Sequence, residues 1–408
     1  MSKKILFFSL FILIFLISSK QNPNAKTWKR HHSKIPSDSI MAAIEQGDSV
    51  IIFHCQIMGP LRKEGTAEKP DTIKSVIKIT ESFFSSDVSF EYCYFMEEVR
   101  FFSDTIFIAR FSNTTFSKYA SFLFTRFFHS NFIVFFDSST FCEDVSFRGV
   151  SFSALTDFSK TTFRKLADFS KVTFGGPSTF ENAFFKGKVS FYSTTFGRDA
   201  DFSGAIFGGN VYINPVEFKN IYISWKQLKG HLFYYPPANL KLIKYFEEQR
   251  QLDDADGVYL FLKDQERMKR SPWVRYPEYW FIQLTCGYGV KPLRTLIVCG
   301  LVIILFSALY TKSNAIKEIE KELGHRRRRR KYRIVHKGFG KRFYDALYFS
   351  VHTFIIGVVS DWHPTDEFLI ETKRVRLFKF RTLSMIEGAL GWILLVLFVV
   401  TLTRKFIR

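Results

Sequence analysis

Residues 167–177 read ADFSKVTFGGP, and residues 200–210 repeat nearly the same line as ADFSGAIFGGN. Every eleventh position through this part of the chain is phenylalanine, in two series that run side by side. The first series is Phe136, Phe147, Phe158, Phe169, Phe180, Phe191 and Phe202. The second series is Phe141, Phe152, Phe163, Phe174, Phe185, Phe196 and Phe207. A period this strict indicates an internal repeat, and the repeat decides the architecture of the chain.

The two series do not share one stripe of a helix, although an 11-residue period also occurs in right-handed coiled coils. They are offset by five and six residues, and five residues turn an α-helix by about 500°, which leaves them about 140° apart. Phe and Thr favour extended chain, and Ser, Thr and Gly are abundant in the unit. The repeat therefore predicts a parallel β-solenoid, in which each short side buries a Phe and stacked coils align Phe on Phe.

A second regular position precedes the first Phe of each unit by two residues and is small or β-branched: Val145, Thr156, Ala167, Ser178, Val189 and Ala200. Upstream, the pattern continues less regularly, with a slip of about three residues before Phe136, through Phe90, Phe101, Phe111 and Phe122. The unit resembles the pentapeptide-repeat family over about Val88–Phe207. This resemblance implies a right-handed, four-sided (quadrilateral) β-helix with the aromatic residue and the small residue inside.

The β-helix is assigned to residues 88–218, after an N-terminal cap at 20–87. In that cap, Ser37–Glu45 has the pattern of a short helix, and Val50–Cys55 and Ser75–Ile79 are β-branched runs typical of strands. Such a cap keeps the first coil from exposing its apolar end. A solenoid can serve any partner, so we expect a protein partner whose identity the repeats do not reveal.

Charge and motifs narrow the functional classes. The chain of 408 residues has a net charge of +20. Pentapeptide proteins that protect DNA gyrase resemble DNA through an acidic surface, whereas this array is basic, which argues against a DNA mimic: Lys160, Arg164, Lys165, Lys171, Lys186 and Lys188. No nucleophile–base pair, phosphate loop or metal-spaced His/Cys cluster occurs, so the sequence predicts neither an enzyme nor a cofactor or metal site.

About half of the positive excess lies between Lys312 and Arg342, where 13 Lys/Arg face three Glu. Next to an apolar run, such a block is typical of a cytoplasmic membrane-proximal loop. The alternative interpretation of HRRRRRKYR is nucleic-acid binding, which we do not favour here.

The first residues are typical of a targeting segment. Two lysines precede an apolar run from Ile5 to Ile17, and Ser18 and Ser19 come directly after it. Residues 1–19 are therefore expected to be a cleaved signal peptide or an uncleaved anchor, and both would export the solenoid.

Beyond the repeats, apolar residues at spacings of three and four predict a helical hairpin linker at 219–271. The acidic residues Asp253, Asp254 and Asp256 are assigned to helix capping and turn chemistry rather than to a metal.

Pro272–Tyr288 is rich in Trp and Tyr and predicts an interfacial helix before the membrane. Thr285–Gly289 spells TCGYG, close to a potassium filter, but no ordinary span precedes it, so we interpret it as a glycine turn.

Residues 272–408 are predicted to form a transmembrane pore module. The apolar runs 292–311 and 385–402 are each long enough to cross a hydrocarbon core about 30 Å thick. Between them, residues 342–364 read RFYDALYFSVHTFIIGVVSDWHP, with a predicted helix at Phe343–Ile355. This stretch resembles the potassium-channel pore family, whose run reads like ALYFSxxTxTTVGYGDxxP. The matching residues are Ala346, Leu347, Tyr348, Phe349, Ser350, Thr353, Asp361 and Pro364.

The filter itself departs from the family. Alignment on Asp361 places Ile356, Gly357, Val358, Val359 and Ser360 where the family has TVGYG. A β-branched Val avoids the backbone angles that the family glycines adopt, and a coordinating Thr hydroxyl is lost. The resemblance therefore implies a pore for monovalent cations without potassium selectivity, or a pore that does not conduct.

The second run opens with Glu387, Gly388 and Gly391, and this EGALG cluster resembles the inner helix of channel-bearing pentapeptide proteins. Small residues there allow close helix contacts. Glu387 is either a functional carboxylate inside the membrane or a carboxylate at the water interface. Two spans per chain imply a homotetramer, by the resemblance alone.

Membrane orientation is inferred from the basic loop. With Arg326–Lys331 inside the cell, the solenoid is extracytoplasmic and the pore stretch enters the cell membrane from within. Arg404, Lys405 and Arg408 then face outward, against the positive-inside rule.

The sequence thus predicts a multi-pass, ion-channel-like protein in contact with membrane lipid. The alternative is a non-conducting, membrane-anchored interaction scaffold.

Overall fold

The computed structural model describes residues 26–128, 133–213, 216–311, 315–320, 331–333, 339–356, 362–371 and 376–407. The chain divides into two compact units, Met1–Gly257 and Val258–Arg408, which we describe separately. The predicted signal peptide or anchor at residues 1–19 lies outside the described residues.

The first unit is a parallel β-solenoid with four sides. Its strands stack in register between successive coils, in a nine-stranded sheet, a seven-stranded sheet and a 15-stranded sheet that covers two sides. Side one comprises Thr27–His31, Ser49–Phe53, Ile77–Thr80, Val99–Phe102, Ala120–Ser121, Val145–Ser146, Ala167–Asp168, Val189–Ser190 and Val211–Tyr212. Side two comprises Lys34–Pro36, Gln56–Met58, Phe83–Phe84, Thr105–Ile106, Arg126–Phe127, Ser151–Phe152 and Thr173–Phe174.

The other two sides are built in the same way. Side three comprises Leu61–Glu64, Val88–Glu91, Ala109–Arg110, Val134–Phe135, Thr156–Asp157 and Ser178–Thr179. Side four comprises Asp71–Ile73, Cys93–Phe95, Thr115–Phe116, Thr140–Phe141, Thr162–Phe163, Phe184–Phe185 and Ile206–Phe207. Two longer strands, Thr195–Asp201 and Glu217–Tyr222, run through sides two and three of the last coils. The predicted solenoid is confirmed.

Stacked phenylalanine rings fill the interior. Phe136 stacks on Phe158 at 4.9 Å between ring centroids, and Phe158 on Phe180 at 5.0 Å. Each ring stacks on the second next Phe of its series, 22 positions later, and the Phe between them belongs to another column. One coil therefore contains two of the 11-residue repeat units. The small residues two positions earlier are also buried, as predicted: Val145, Thr156, Ala167, Ser178, Val189 and Ala200.

The structure shows where the slip of about three residues in the repeat occurs. Phe111 stacks on Phe136 at 5.1 Å, 25 positions later, whereas Phe90 and Phe111 are stacked 21 positions apart. Strand register is kept on both sides of the slip, because Arg126–Phe127 pairs with Ser151–Phe152. The additional residues therefore lie between Phe127 and Val134, partly outside the described residues.

The solenoid begins earlier than residue 88, which corrects the predicted boundary of the cap. Strands from Thr27 onward already pair in parallel with the coils that come after them. Their inward positions hold branched aliphatic side chains instead of Phe, which is why the periodicity did not reveal them: Ile35, Val50, Ile52, Ile57, Leu61, Ile73, Ile77 and Ile79. Helix α1 (Ser37–Glu45), predicted correctly, contacts the strands Ser49–Phe53 and Leu61–Glu64 and buries Ile40 and Ile44.

Helices come after the last coil of the solenoid. They are α2 (Trp225–Leu228), α3 (Pro236–Glu248) and α4 (Leu252–Met268), of which the last two are the predicted helices of the linker. The Gln227 amide donates to the carbonyls of Phe202 (2.7 Å) and Ala205 (3.0 Å). The backbone N–H of Ile221 donates to the Tyr245 hydroxyl at 3.0 Å. The first part of the predicted linker is therefore a C-terminal cap that satisfies the backbone of the last coils.

The second unit is mainly helical. Its helices are α5 (Pro272–Glu278), a π-helical segment (Tyr279–Gln283), α6 (Leu284–Cys286), α7 (Pro292–Tyr310), α8 (Phe339–Ile356) and α9 (Phe380–Ile407). Its strands are Ile316–Glu320, Lys331–Arg333 and Trp362–Pro364, in one antiparallel sheet, and the hairpin Phe368–Glu371 with Arg376–Lys379. By length and composition, Pro292–Tyr310 and Phe380–Arg404 are candidate membrane spans. The second begins earlier than the predicted run at 385.

Candidate functional site

Helix α8 is the short helix predicted for the pore stretch, and it packs against both α7 and α9. Its buried residues recur at spacings of three and four, which places them on one face: Ala346, Phe349, Ser350, Thr353 and Phe354. Midway along its length, α8 packs in a cluster with the C-terminal turn of α7 and the first turn of α9, where the ring of Phe349 meets that of Tyr310 edge-on at 5.0 Å.

The far end of α8 lies halfway along the two candidate spans. Phe354 packs between Cys299 of α7 and Leu394 of α9, both well inside their helices. The chain then returns to the level from which α8 started, because Trp362–Pro364 pairs antiparallel with Ile316–Glu318, just after α7. The N–H of Thr365 donates to the Ala315 carbonyl at 3.0 Å. The path of α8 is therefore re-entrant, since it enters and leaves at the C-terminal end of α7.

A buried polar cluster, Tyr310–Ser350–Glu387, joins the three helices. Both hydroxyls donate to the carboxylate of Glu387, that of Tyr310 to Oε2 at 2.9 Å and that of Ser350 to Oε1. The Ser350 hydroxyl also lies 3.0 Å from the Ile303 carbonyl of α7. Glu387 is 0 % exposed, so the three helices shield its carboxylate from water.

Helices α8 and α9 approach each other closely at Gly391. A Cβ atom at that position would lie 2.1 Å from the carbonyl oxygen of Phe354, which is backbone and cannot turn away. Gly388 is also buried. The small residues of the EGALG cluster therefore allow the close approach of the two helices that the sequence suggested.

The predicted filter residues are only partly within the described chain. Thr353 is buried, and its hydroxyl has no hydrogen-bond partner among the described residues, whereas Ile356 is exposed at the end of α8. Gly357, Val358, Val359, Ser360 and Asp361 lie outside the described residues.

The GYG part of the TCGYG sequence forms a turn, in agreement with its interpretation, and Thr285 and Cys286 end α6. Gly287, Tyr288 and Gly289 have positive φ angles of 55°, 54° and 82°, and α7 begins directly after this turn at Pro292. Arg404, near the end of α9, donates to the Tyr288 carbonyl at 3.0 Å and lies over the ring of Tyr259, 4.1 Å from its centroid. Through Arg404, the end of α9 thus contacts the turn that precedes α7.

Sequence reasoning missed Tyr310 and Arg404 as contact residues. Tyr310 ends an apolar run, where an aromatic residue is expected at a membrane interface, and nothing in the sequence links it to a carboxylate 77 positions later. Arg404 was noted only as a charge at the end of a span. Their partners are distant in sequence, and only the packing of the helices brings them together.

The fold and site define a class: a four-sided parallel β-solenoid followed by a helical unit with two candidate spans and a re-entrant helix. A family model described as pentapeptide repeats (9 copies) matches residues 136–183 and 169–214. The matched residues lie in the regular part of the solenoid. No curated protein and no solved structure matches the chain significantly.

Proposed function

We propose that the chain is one subunit of an oligomeric, cation-conducting membrane pore, with the solenoid as an extramembrane sensing or docking domain. The proposal rests on one observation: α8 enters between two candidate spans, stops halfway along them, and the chain returns to the same level. A re-entrant helix of this kind can bring backbone carbonyls to the interior of a membrane, where they replace the hydration shell of an ion.

The electrostatics of α8 favour a cation. A helix carries about half a negative charge at its C-terminal end, and α8 ends at Ile356. The sequence directly after it adds Ser360 and Asp361 and no Lys or Arg before Pro364. We therefore infer that monovalent cations are the permeant ions. Val358 occupies a position where a potassium filter has glycine, so the inferred pore does not select potassium.

One chain supplies too few helices to enclose a pore, so the proposal includes assembly into a homotetramer in the cell membrane. The candidate spans carry many exposed apolar side chains, which suit contact with lipid and with other copies: Leu293, Leu296, Ile297, Leu301, Ile304, Leu305, Trp392, Ile393, Val396, Val399 and Val400. Such surfaces are unfavourable in water but ordinary in a bilayer.

For orientation, we propose that the solenoid is extracytoplasmic and that residues 312–342 are cytoplasmic, because 13 of those residues are Lys or Arg. Arg404, whose positive charge argues against this orientation, is stabilised by its contacts with the Tyr288 carbonyl and the Tyr259 ring. A topology reporter fused at Gly324 should show that this residue is on the cytoplasmic side of the membrane. A reporter signal from outside the cell would reverse the assignment.

Ion flux tests the conduction proposal. Full-length protein in liposomes should pass both K⁺ and Na⁺, and Gly357→Val should abolish this flux. Gly391→Ala should reduce it several-fold, since the added methyl group forces α9 away from α8. Gly300→Ala is the matched control, because a Cβ atom there has no atom within 4 Å. Cross-linking should trap four copies.

The second candidate is a membrane-anchored scaffold that conducts nothing, and the departure of residues 356–360 from TVGYG favours it. The two functions differ in one measurement. Absence of flux from a correctly folded tetramer would reject the pore and leave the scaffold, with the solenoid as its binding domain.

A further inference from the structure

Between α4 and α7, the chain forms a helix that exposes its apolar face. We use the name aromatic segment for Pro272–Cys286, a continuous helical run made of α5, the π-helical segment and α6. No residue of α5 or of the π-helical segment is fully buried. The residues that point outward are almost all apolar or aromatic: Trp273, Val274, Tyr276, Pro277, Trp280, Phe281, Ile282 and Leu284. Trp273 is the most prominent, at 90 % exposed.

The opposite face of the aromatic segment is polar and partly covered. Glu278 accepts a hydrogen bond from Arg270 at 2.9 Å, and only 9 % of its side chain is exposed. The guanidinium of Arg267 lies over the ring of Tyr279, 5.1 Å from its centroid. Arg275 and Gln283 lie on this face as well, with intermediate exposure. In water, the reverse distribution is expected, because an amphipathic helix turns its apolar face toward the protein.

We propose that the aromatic segment, which the sequence predicted to be part of an interfacial helix, is a docking surface for anionic membrane lipid, with its Trp- and Tyr-bearing face in the headgroup zone of the bilayer. The whole segment extends about 22 Å, too short to cross a hydrocarbon core of about 30 Å. Trp and Tyr are the residues that prefer the interface, since their rings are apolar and their polar atoms reach water. The segment comes just before the first candidate span, and the turn at Gly287–Gly289 connects the two.

The charges around the segment favour anionic lipid. Between Arg267 and Arg294 there are six Lys/Arg residues and one acidic residue, Glu278. Two of the six already form ion pairs, Arg267 with Asp264 and Arg270 with Glu278, and the other four are Lys269, Arg275, Lys291 and Arg294. Basic residues near an anionic lipid surface are attracted to it electrostatically. Because Arg404 holds the Tyr288 carbonyl, lipid bound to the segment also restrains the end of α9. This surface does not depend on ion conduction.

Quenching by brominated lipid tests the proposal. Full-length protein is placed in bilayers of phosphatidylcholine and phosphatidylglycerol, with bromine atoms either near the headgroup or near the middle of the acyl chains. Bromine near the headgroup should quench the wild-type emission, and the double variant Trp273→Phe/Trp280→Phe should lose more than half of that quenching. Trp392→Phe, in the second candidate span, should instead reduce quenching by the deep bromine.

Circular dichroism and elution volume establish that the variants fold, and the single substitutions serve if the double variant fails this check. Unchanged shallow quenching in the Trp273 and Trp280 variants would overturn the proposal, because the aromatic face would then lie in water or against another copy of the chain. Equal quenching in bilayers of phosphatidylcholine alone would reject the preference for anionic lipid.

Discussion

Replacing Phe185 by alanine is expected to lower the free energy of unfolding of the solenoid by about 3–5 kcal/mol. The ring is 1 % exposed and is stacked between Phe163 at 4.8 Å and Phe207 at 5.3 Å, so alanine leaves a cavity in the column. Repeats contact only their neighbours, and the loss therefore separates the last coils from the rest. Urea unfolding of the full-length protein in detergent, followed by circular dichroism, measures the change.

The adjacent residue is the control. Phe184 belongs to the same strand but points outward, with 37 % of its surface exposed, so Phe184→Ala should change the free energy of unfolding by less than about 1 kcal/mol. The comparison removes effects of composition and strand propensity, because the two substitutions are chemically identical. Equal losses for the two variants would contradict the assignment of inward and outward faces.

Replacing Glu387 by alanine is expected to destabilise the helical unit by about 2–4 kcal/mol. The substitution leaves the buried Tyr310 hydroxyl without its acceptor and removes a partner of Ser350, which keeps the Ile303 carbonyl. Thermal unfolding of the detergent-solubilised protein, followed by helix circular dichroism, measures the effect. Were Glu387 instead at the water interface, the loss would be within about 0.5 kcal/mol.

Glu387→Gln separates the shape of the side chain from its loss. Glutamine keeps an acceptor for one hydroxyl and the volume of the side chain, so most of the stability should remain. Tyr310→Phe removes only one donor and should cost about 1 kcal/mol. If Glu387→Gln were as damaging as Glu387→Ala, hydrogen-bond acceptance from these hydroxyls would not be the role of Glu387.

The regular part of the solenoid was predictable from sequence because one physical requirement fixes it. A buried ladder needs the same large side chain at the same place in every coil, and Phe147, Phe169 and Phe191 satisfy this directly. The first coils use Ile, Val and Leu at the equivalent places. These residues bury equally well but do not stand out from ordinary strands, so the array was predicted to begin at Val88 although its first strand begins at Thr27.

The ends of the solenoid and the site depend on contacts that periodicity does not encode. The role of Gln227 as a cap requires the exposed carbonyls of Phe202 and Ala205, which exist only once the last coil has formed. In the helical unit, the EGALG cluster predicted close helix contacts but not which helices make them. It did not predict the Tyr310 hydrogen bond, because the partner residues come from separate helices.

The coil of two repeat units has a consequence for how such a chain can change in length. Insertion or loss of one whole coil leaves every Phe column, every strand register and both caps intact, and alters the stack by a single step of about 4.8 Å. Smaller insertions change the spacing between coils, as the additional residues between Phe127 and Val134 do, while the neighbouring strands keep their register. The length of the solenoid can therefore change in steps of one coil, by duplication or loss of about 22 residues, while both caps stay the same.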